Sequence, residues 1–125
     1  LGVHASANGM DFCTNTAFGH KVEVFIAEFG DMAPKVGKVL APVGFKVVRV
    51  NTATGTIKDF AVNKGKKNGP ASWNEHGGLE RPLAVKFDPT GSALYVVDFG
   101  IMKMTERGPM PQQRTGVIWR ISKNK

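Results

Sequence analysis

The feature that most constrains this chain is an internal repeat. Leu83–Gly100 reads LAVKFDPTGSALYVVDFG: a short alternating strand, an Asp-Pro-Thr-Gly turn, then an apolar strand ending in Asp98-Phe99-Gly100. A weaker echo runs from Met10 to Gly30, as MDFC, a polar connection, and KVEVFIAEFG ending in Glu28-Phe29-Gly30. Each copy continues through a long irregular segment into a third strand, GFKVVRV at Gly44–Val50 and GVIWRIS at Gly116–Ser122. The two Phe-Gly pairs lie about 70 residues apart, as do the Val-Arg-Val and Trp-Arg-Ile triplets. A repeat of this length, enlarged by loops, predicts an all-β chain of two tandem four-stranded antiparallel propeller blades.

The first blade is expected over about residues 4–63. Met10 and Phe12 alternate with Asp11, Lys21–Phe29 carries apolar residues on both faces, and Gly44–Val50 and Thr56–Val62 flank the Asn51–Gly55 turn. In the second strand Val22, Val24 and Ile26 are read on one face and Phe25 and Ala27 on the other. A crossing loop at about 64–81 leads to an incomplete second blade at about 82–123. There Leu83, Val85 and Phe87 are expected on one face, and Asp88-Pro89-Thr90-Gly91 carries a strong turn signal. Ile101–Thr115, with Pro109 and Pro111, reads as a loop, and the blade lacks its closing strand. The 125 residues thus form one partial propeller unit.

Strand parity sorts the connections. In an antiparallel meander, Thr14–His20, Asn51–Gly55 and Asp88–Ser92 fall at one end and are short. Gly30–Val43, Asn63–Arg81 and Ile101–Thr115 fall at the other and are long, together with the entry segment His4–Gly9. Long loops in compact domains are usually binding loops or disorder, and any site is expected at that end.

Composition narrows the function classes. The longest apolar candidate, Val22–Ala27, is strand-sized, far short of the roughly 18–20 residues of a membrane span. Leu1 opens the chain without a visible signal peptide. Cys13 is the lone cysteine, so no internal disulfide forms, and a small core residue is the expected role. The net charge of +7 attracts anions non-specifically, yet only Lys64-Gly65-Lys66-Lys67 is clustered, so specific nucleic-acid binding is not expected. Walker loops, Cys/His zinc spacing, Gly-x-Ser-x-Gly and dinucleotide fingerprints are absent from the sequence.

The elements His4-x-Ser6-x-Asn8-Gly9-Met10, Phe25–Gly30, Gly44–Val50, Arg81-Pro82-Leu83-Ala84-Val85, Leu94–Asp98 and Ile118–Ile121 occur in this order. That order resembles the C-terminal third of glucose/sorbosone dehydrogenase-type proteins. The resemblance implies a six-bladed β-propeller that oxidises sugars with pyrroloquinoline quinone and calcium, in the periplasm or outside the cell. It also implies that the last blade is closed by a strand from elsewhere. The partners would be the remaining blades, or identical chains completing a ring, with three two-blade chains sufficing. Two blades alone are expected to be inactive, because the family's catalytic histidine and calcium-binding carbonyls lie in earlier blades; the catalytic residues are therefore unknown. Phe29-Gly30-Asp31-Met32-Ala33-Pro34 departs from the His-Gly-Ser-Trp-Asn-like loop of many relatives. A non-catalytic carbohydrate- or protein-binding propeller is the alternative.

On this resemblance Arg81 is the first candidate for the quinone, since a guanidinium fork suits a tricarboxylate; the alternative is a structural ion pair with Glu80 or Glu75. His4 and Asn8, entering the first strand beside Ser6, are further cofactor candidates, against turn capping. Lys35 and Lys103, with Arg107, lie in long loops and would reach an anionic cofactor, against solvated loop charges. His76 and Trp73 are candidates for sugar binding. His20, on the short-loop end, is discounted. Trp119 is read as packing between blades. Glu28 and Asp98, repeat-equivalent carboxylates at strand ends, are read as accepting hydrogen bonds from neighbouring loop amides; no metal ligands are assigned.

Overall fold

The structure, a computed structural model, describes residues 2, 4–32, 41–65 and 68–124. Its described residues contain strands and two short 3-10 turns, Thr16–Phe18 and Ala71–Trp73, and no α-helix. Strands β1 (Ala7–Phe12), β2 (Glu23–Glu28), β3 (Lys46–Asn51) and β4 (Ile57–Ala61) form a four-stranded antiparallel sheet in sequence order. Strands β5 (Pro82–Phe87) and β6 (Ala93–Asp98) pair with β9 (Val117–Ser122) in a three-stranded antiparallel sheet. The segment read as a loop at Ile101–Thr115 instead contains a hairpin, β7 (Met102–Thr105) and β8 (Gly108–Pro111). Proline is tolerated there because an isolated two-stranded ribbon leaves each strand an unpaired edge; Glu106 and Arg107 make the turn, and Gly108 opens β8 at φ 107°.

Two expected strand faces are altered. Leu83 is exposed while Val85 and Phe87 are buried, because a register shift between Pro82 and Ala84 breaks the alternation. Val22 is also exposed, at φ 60°, with its N–H donated to the Cys13 carbonyl before β2 begins. From Glu23 onward β2 is buried on both faces, with Phe25 and Ala27 fully so. Cys13 is buried, as expected of a core residue.

The two sheets share one core. Phe25, Ala27 and Val47 from the first sheet meet Val85, Phe87, Leu94 and Val96 from the second, with Phe18, Cys13 and Leu79 closing the cluster. Edge-to-face ring contacts bind it: Phe18–Phe87 at 5.1 Å, Phe25–Phe87 at 5.2 Å and Phe25–Phe60 at 4.8 Å between centroids. Strands β1 and β5 approach closely at Gly9, where a Cβ would lie 2.6 Å from the Ala84 Cα. Only glycine fits there.

Polar groups fasten both ends of this junction. On the short-loop end, Asp11 Oδ2 accepts from the Phe87 N–H at 2.8 Å, and Asn15 Nδ2 donates to the Thr90 carbonyl. On the long-loop end, Arg81 reaches from the second sheet to the backbone carbonyls that follow β2. The β1–β2 and β5–β6 connections therefore meet at one end, and the segments following β2 and preceding β5 meet at the other.

Candidate functional site

The long-loop end holds two cavities. The larger, about 410 Å³, opens at the first sheet between the segments that follow β2 and β4. Glu28, at the end of β2, lines it together with Lys46 of β3, Asp59 of β4 and Asn63 and Asn68 of the crossing loop; Gly44 and Phe45 complete its wall. The smaller, about 280 Å³, lies at the second sheet beside Asp98 and Glu80.

Gly44 and Phe45 take positive φ, 89° and 60°, in this wall. Gly44 is required by contact as well as by φ, since a Cβ would stand 2.5 Å from the Gly30 Cα and 2.7 Å from the Ala5 carbonyl oxygen. Phe45 is a bulky residue in left-handed backbone, an arrangement that persists only when its surroundings enforce it. Its buried ring lies 5.0 Å from the Arg81 guanidinium carbon and 6.5 Å, centroid to centroid, from the Trp73 ring.

Glu28 is the most unusual group in the cavity wall. It is 1% exposed, and neither carboxyl oxygen has a hydrogen-bond partner. Burial holds its pKa above the ordinary glutamate value; Lys46 opposes that shift and Asp59 reinforces it. Lys46 sits directly across the ladder from Glu28, yet its ammonium is paired at 2.7 Å with Asp59. Asn63 is fully engaged in organising the loop: Nδ2 donates to the Gly69 and Leu79 carbonyls, and Oδ1 accepts from the Leu79 N–H. Asn68 is exposed.

At the second cavity the acids are satisfied. Asp98 accepts from the Glu80, Arg81 and Gly100 N–H groups at 2.7, 2.8 and 3.0 Å and from the Trp119 indole N–H at 3.3 Å. Glu80 accepts from the Ser72 N–H and hydroxyl, both at 2.7 Å. The expected amide bonds thus form at Asp98 and do not form at Glu28. The registers explain why. Ala7 pairs with Glu28 as Pro82 pairs with Asp98, so Ala5 and Ser6 stand where Glu80 and Arg81 stand. The Ala5 N–H bonds to the Gly2 carbonyl instead, and Ser6 is left-handed at φ 54°. Glutamate is also one methylene longer than aspartate.

The sequence-derived candidates that lie among the described residues do not converge on either cavity. Arg81 is 5% exposed, its guanidinium carbon 5.1 Å from the Phe29 ring centroid and 5.0 Å from that of Phe45. Its Nη1 donates to the Asp31 carbonyl at 3.2 Å and, at 3.5 Å, towards that of Phe29, while Nε is buried without a partner. Burial lowers its pKa, opposed by the Glu80 and Asp31 charges. The Glu80 carboxylate points to Ser72 rather than bonding Arg81. His4 is exposed at φ 68°, and Asn8 is exposed within the irregular stretch of β1. Lys103 is exposed on β7. Lys35 lies outside the described residues. His76 is exposed in the crossing loop, and Trp73, itself 57% exposed, neighbours the cavity residue Gly69, where a Cβ would meet its Cε3 at 2.8 Å. Trp119 is partly exposed, with its indole N–H on Asp98.

Among the described residues the one buried cation, Arg81, is closed in by two aromatic rings and backbone carbonyls, an enclosure that does not fit a tricarboxylate quinone. No group of three or more His, Cys, Asp or Glu side chains gathers into a metal centre among the described residues. No helix among them is long and apolar enough to cross a membrane. The residues that sequence reasoning did not single out are Lys46, Asp59, Asn63 and Asn68. Lys46 and Asp59 meet across the neighbouring strands β3 and β4, and the crossing loop brings Asn63 and Asn68 to the same wall; no local pattern marks them. Comparison with protein-family models, with curated proteins and with solved structures found no match to this chain.

Proposed function

We propose that the chain forms two adjacent blades of a β-propeller of the quinone-dependent sugar dehydrogenase type, and that its loop-rich end supplies part of the wall of a sugar site. The observation that carries this reading is the repeated sheet. Strands β1-β2-β3 and β5-β6-β9 follow one order, share a core, and place their long connections and both cavities at the same end. The order of sequence elements supplies the sugar-oxidising part and an extracytoplasmic setting. Arg81 holds the two blades together in this reading, and the cationic grip on the cofactor comes from other blades, whether in a longer chain or in further copies.

The test is reconstitution. Full-length protein supplied with pyrroloquinoline quinone and calcium is expected to reduce an artificial electron-accepting dye with aldoses, and the mass of the active species is expected to correspond to a complete ring. No cofactor-dependent dye reduction across an aldose panel removes the dehydrogenase reading. A second reading, a propeller that binds carbohydrate or protein without redox chemistry, is favoured by the enclosure of Arg81 between Phe29 and Phe45. It predicts ligand binding that is indifferent to the quinone.

A further inference from the structure

Three ionisable side chains line the larger cavity among the described residues, and their charges do not balance. Lys46 and Asp59 neutralise one another through their 2.7 Å pair, which leaves Glu28 without a counter-charge. Glu28 is 1% exposed, and neither oxygen accepts a hydrogen bond, an arrangement that costs stability because buried polar groups ordinarily find donors. Glu28 and Lys46 stand directly opposite one another across the β2–β3 ladder, so both side chains leave the face of the sheet on which the cavity opens.

This balance sets the sign of an occupant. An anion is opposed by Glu28, and an apolar guest would seal the carboxyl away from every donor. A neutral guest can offer a hydrogen bond but leaves the carboxylate charge uncompensated. A cation supplies both. The net charge of +7 does not reverse this, because exposed charges are screened beyond about 8–10 Å at physiological salt and the local groups decide. The kind of cation follows from the acceptors. A divalent ion takes roughly six or more oxygens, and no three His, Cys, Asp or Glu side chains gather among the described residues. A guanidinium asks for less: its planar fork offers two parallel N–H groups, and Glu28 has two unpaired oxygens to receive them. A cavity of about 410 Å³ admits such a group with a short carbon tail.

We propose that the Glu28 cavity binds a small organic cation of the guanidinium class, held by a bidentate, charge-assisted pair of hydrogen bonds on the Glu28 carboxylate. The Glu28 oxygens are closed to solvent, so the carboxyl turns outward to meet the fork; no hydrogen bond has to break for it to do so. Asn63 fixes the crossing loop that forms part of the wall through its three bonds to Gly69 and Leu79. Binding holds Glu28 ionised against the burial that raises its pKa. A proton therefore leaves as the cation arrives, and affinity climbs with pH until the folded carboxyl is ionised on its own. The site stands apart from the dehydrogenase reading, which calls for no cation of this class, and either can fail alone.

The experiment is a titration of the full-length protein, without quinone, with methylguanidinium chloride, followed by amide NMR. Methylurea, its neutral isostere, is the first comparison; sodium acetate and calcium chloride are the others. Saturable shifts of the Gly44, Gly65 and Gly69 amides are expected with methylguanidinium at millimolar concentrations, and with methylurea only at about tenfold higher concentration or more. The affinity for methylguanidinium is expected to rise between about pH 4 and about pH 7. Glu28→Gln, which keeps the shape and removes the charge, is expected to weaken binding about tenfold or more and to erase that pH slope. Asn68→Asp, at an exposed wall position, adds a negative charge without disturbing the core and is expected to tighten binding a few-fold. The proposal is overturned if the wall amides do not shift, or if methylurea, acetate or calcium saturates them at no higher concentration than methylguanidinium. It is also overturned if affinity does not rise with pH, if Glu28→Gln binds as the parent does, or if Asn68→Asp weakens binding. A Glu28-dependent, pH-dependent shift supports it whether or not the protein reduces dye.

Discussion

Glu28 and Asp98 occupy one position of a repeated design and meet opposite fates. Each ends the second strand of its sheet, and each is followed by Phe and by a glycine at positive φ, 93° for Gly30 and 88° for Gly100. The backbone bond after each carboxylate is also shared: the Phe29 N–H donates to Ser6, and the Phe99 N–H to Arg81, both at 2.9 Å. Yet Asp98 collects four N–H donors and Glu28 collects none. The contrast separates a carboxylate whose bonds hold the fold together from one buried without a hydrogen-bond partner. The repeat keeps its backbone geometry here without keeping its side-chain satisfaction.

The largest effect is expected at the satisfied copy. Asp98→Ala leaves the Glu80 and Arg81 amides without their acceptor in a buried site, at a cost of about 3 kcal/mol or more, measured by denaturant unfolding. A loss below about 1 kcal/mol breaks the comparison. Next is the clamp between the sheets: Arg81→Met removes its carbonyl bond and two cation–ring contacts, at about 2 kcal/mol, with little dependence on salt because the site is enclosed. Strong salt sensitivity of that loss points to an exposed guanidinium instead.

Glu28→Gln moves stability the other way, with a gain of about 1 kcal/mol near neutral pH. The sign follows from the raised pKa of the folded state. Below the ordinary glutamate value both folded and unfolded carboxyls are protonated, and burial carries no ionic penalty. As pH rises past that value the unfolded chain releases its proton first, so stability falls until the folded group ionises too. The variant should flatten this slope and gain least in acid. Equal gains at pH 4 and pH 8 contradict it. The smallest effect is expected at the mouth of the cavity, where Asp59→Asn removes the exposed pair with Lys46 for less than about 0.5 kcal/mol, vanishing in high salt.

Much of the fold was legible because its signals are local. Alternation marks β5 and β6, the Asp88–Gly91 turn joins them, and the repeated Phe-Gly pair aligns the sheets. The hairpin at Met102–Pro111 was hidden by prolines that ordinarily break strands, and Leu83 by a bulge that periodicity does not register. The site was less legible. Glu28 was visible as the equivalent of Asp98, and equivalence argued for the same amide bonds. What withheld them was the left-handed turn at Ser6 and the diversion of the Ala5 amide to Gly2, which no residue type in the segment announces. Arg81 was singled out as a cofactor candidate or an ion-pair partner of Glu80 or Glu75, but its sandwich between Phe29 and Phe45 depends on segments far from it in sequence.

The bond from the Phe87 amide to Asp11 spans 76 residues, and it carries a timing consequence. During synthesis at about 5–20 residues per second, the partner of Asp11 emerges roughly 4–15 s after Asp11 itself. Through that interval Phe18 and Phe25 stand ready for a ring that has not yet been made. The first sheet has mainly neighbouring-strand pairings and can assemble early, whereas docking of the second must wait for a long loop to close. A nascent chain paused before Phe87 would therefore present an aromatic surface to chaperones or to its neighbours, and the speed of translation through the crossing loop becomes a determinant of yield.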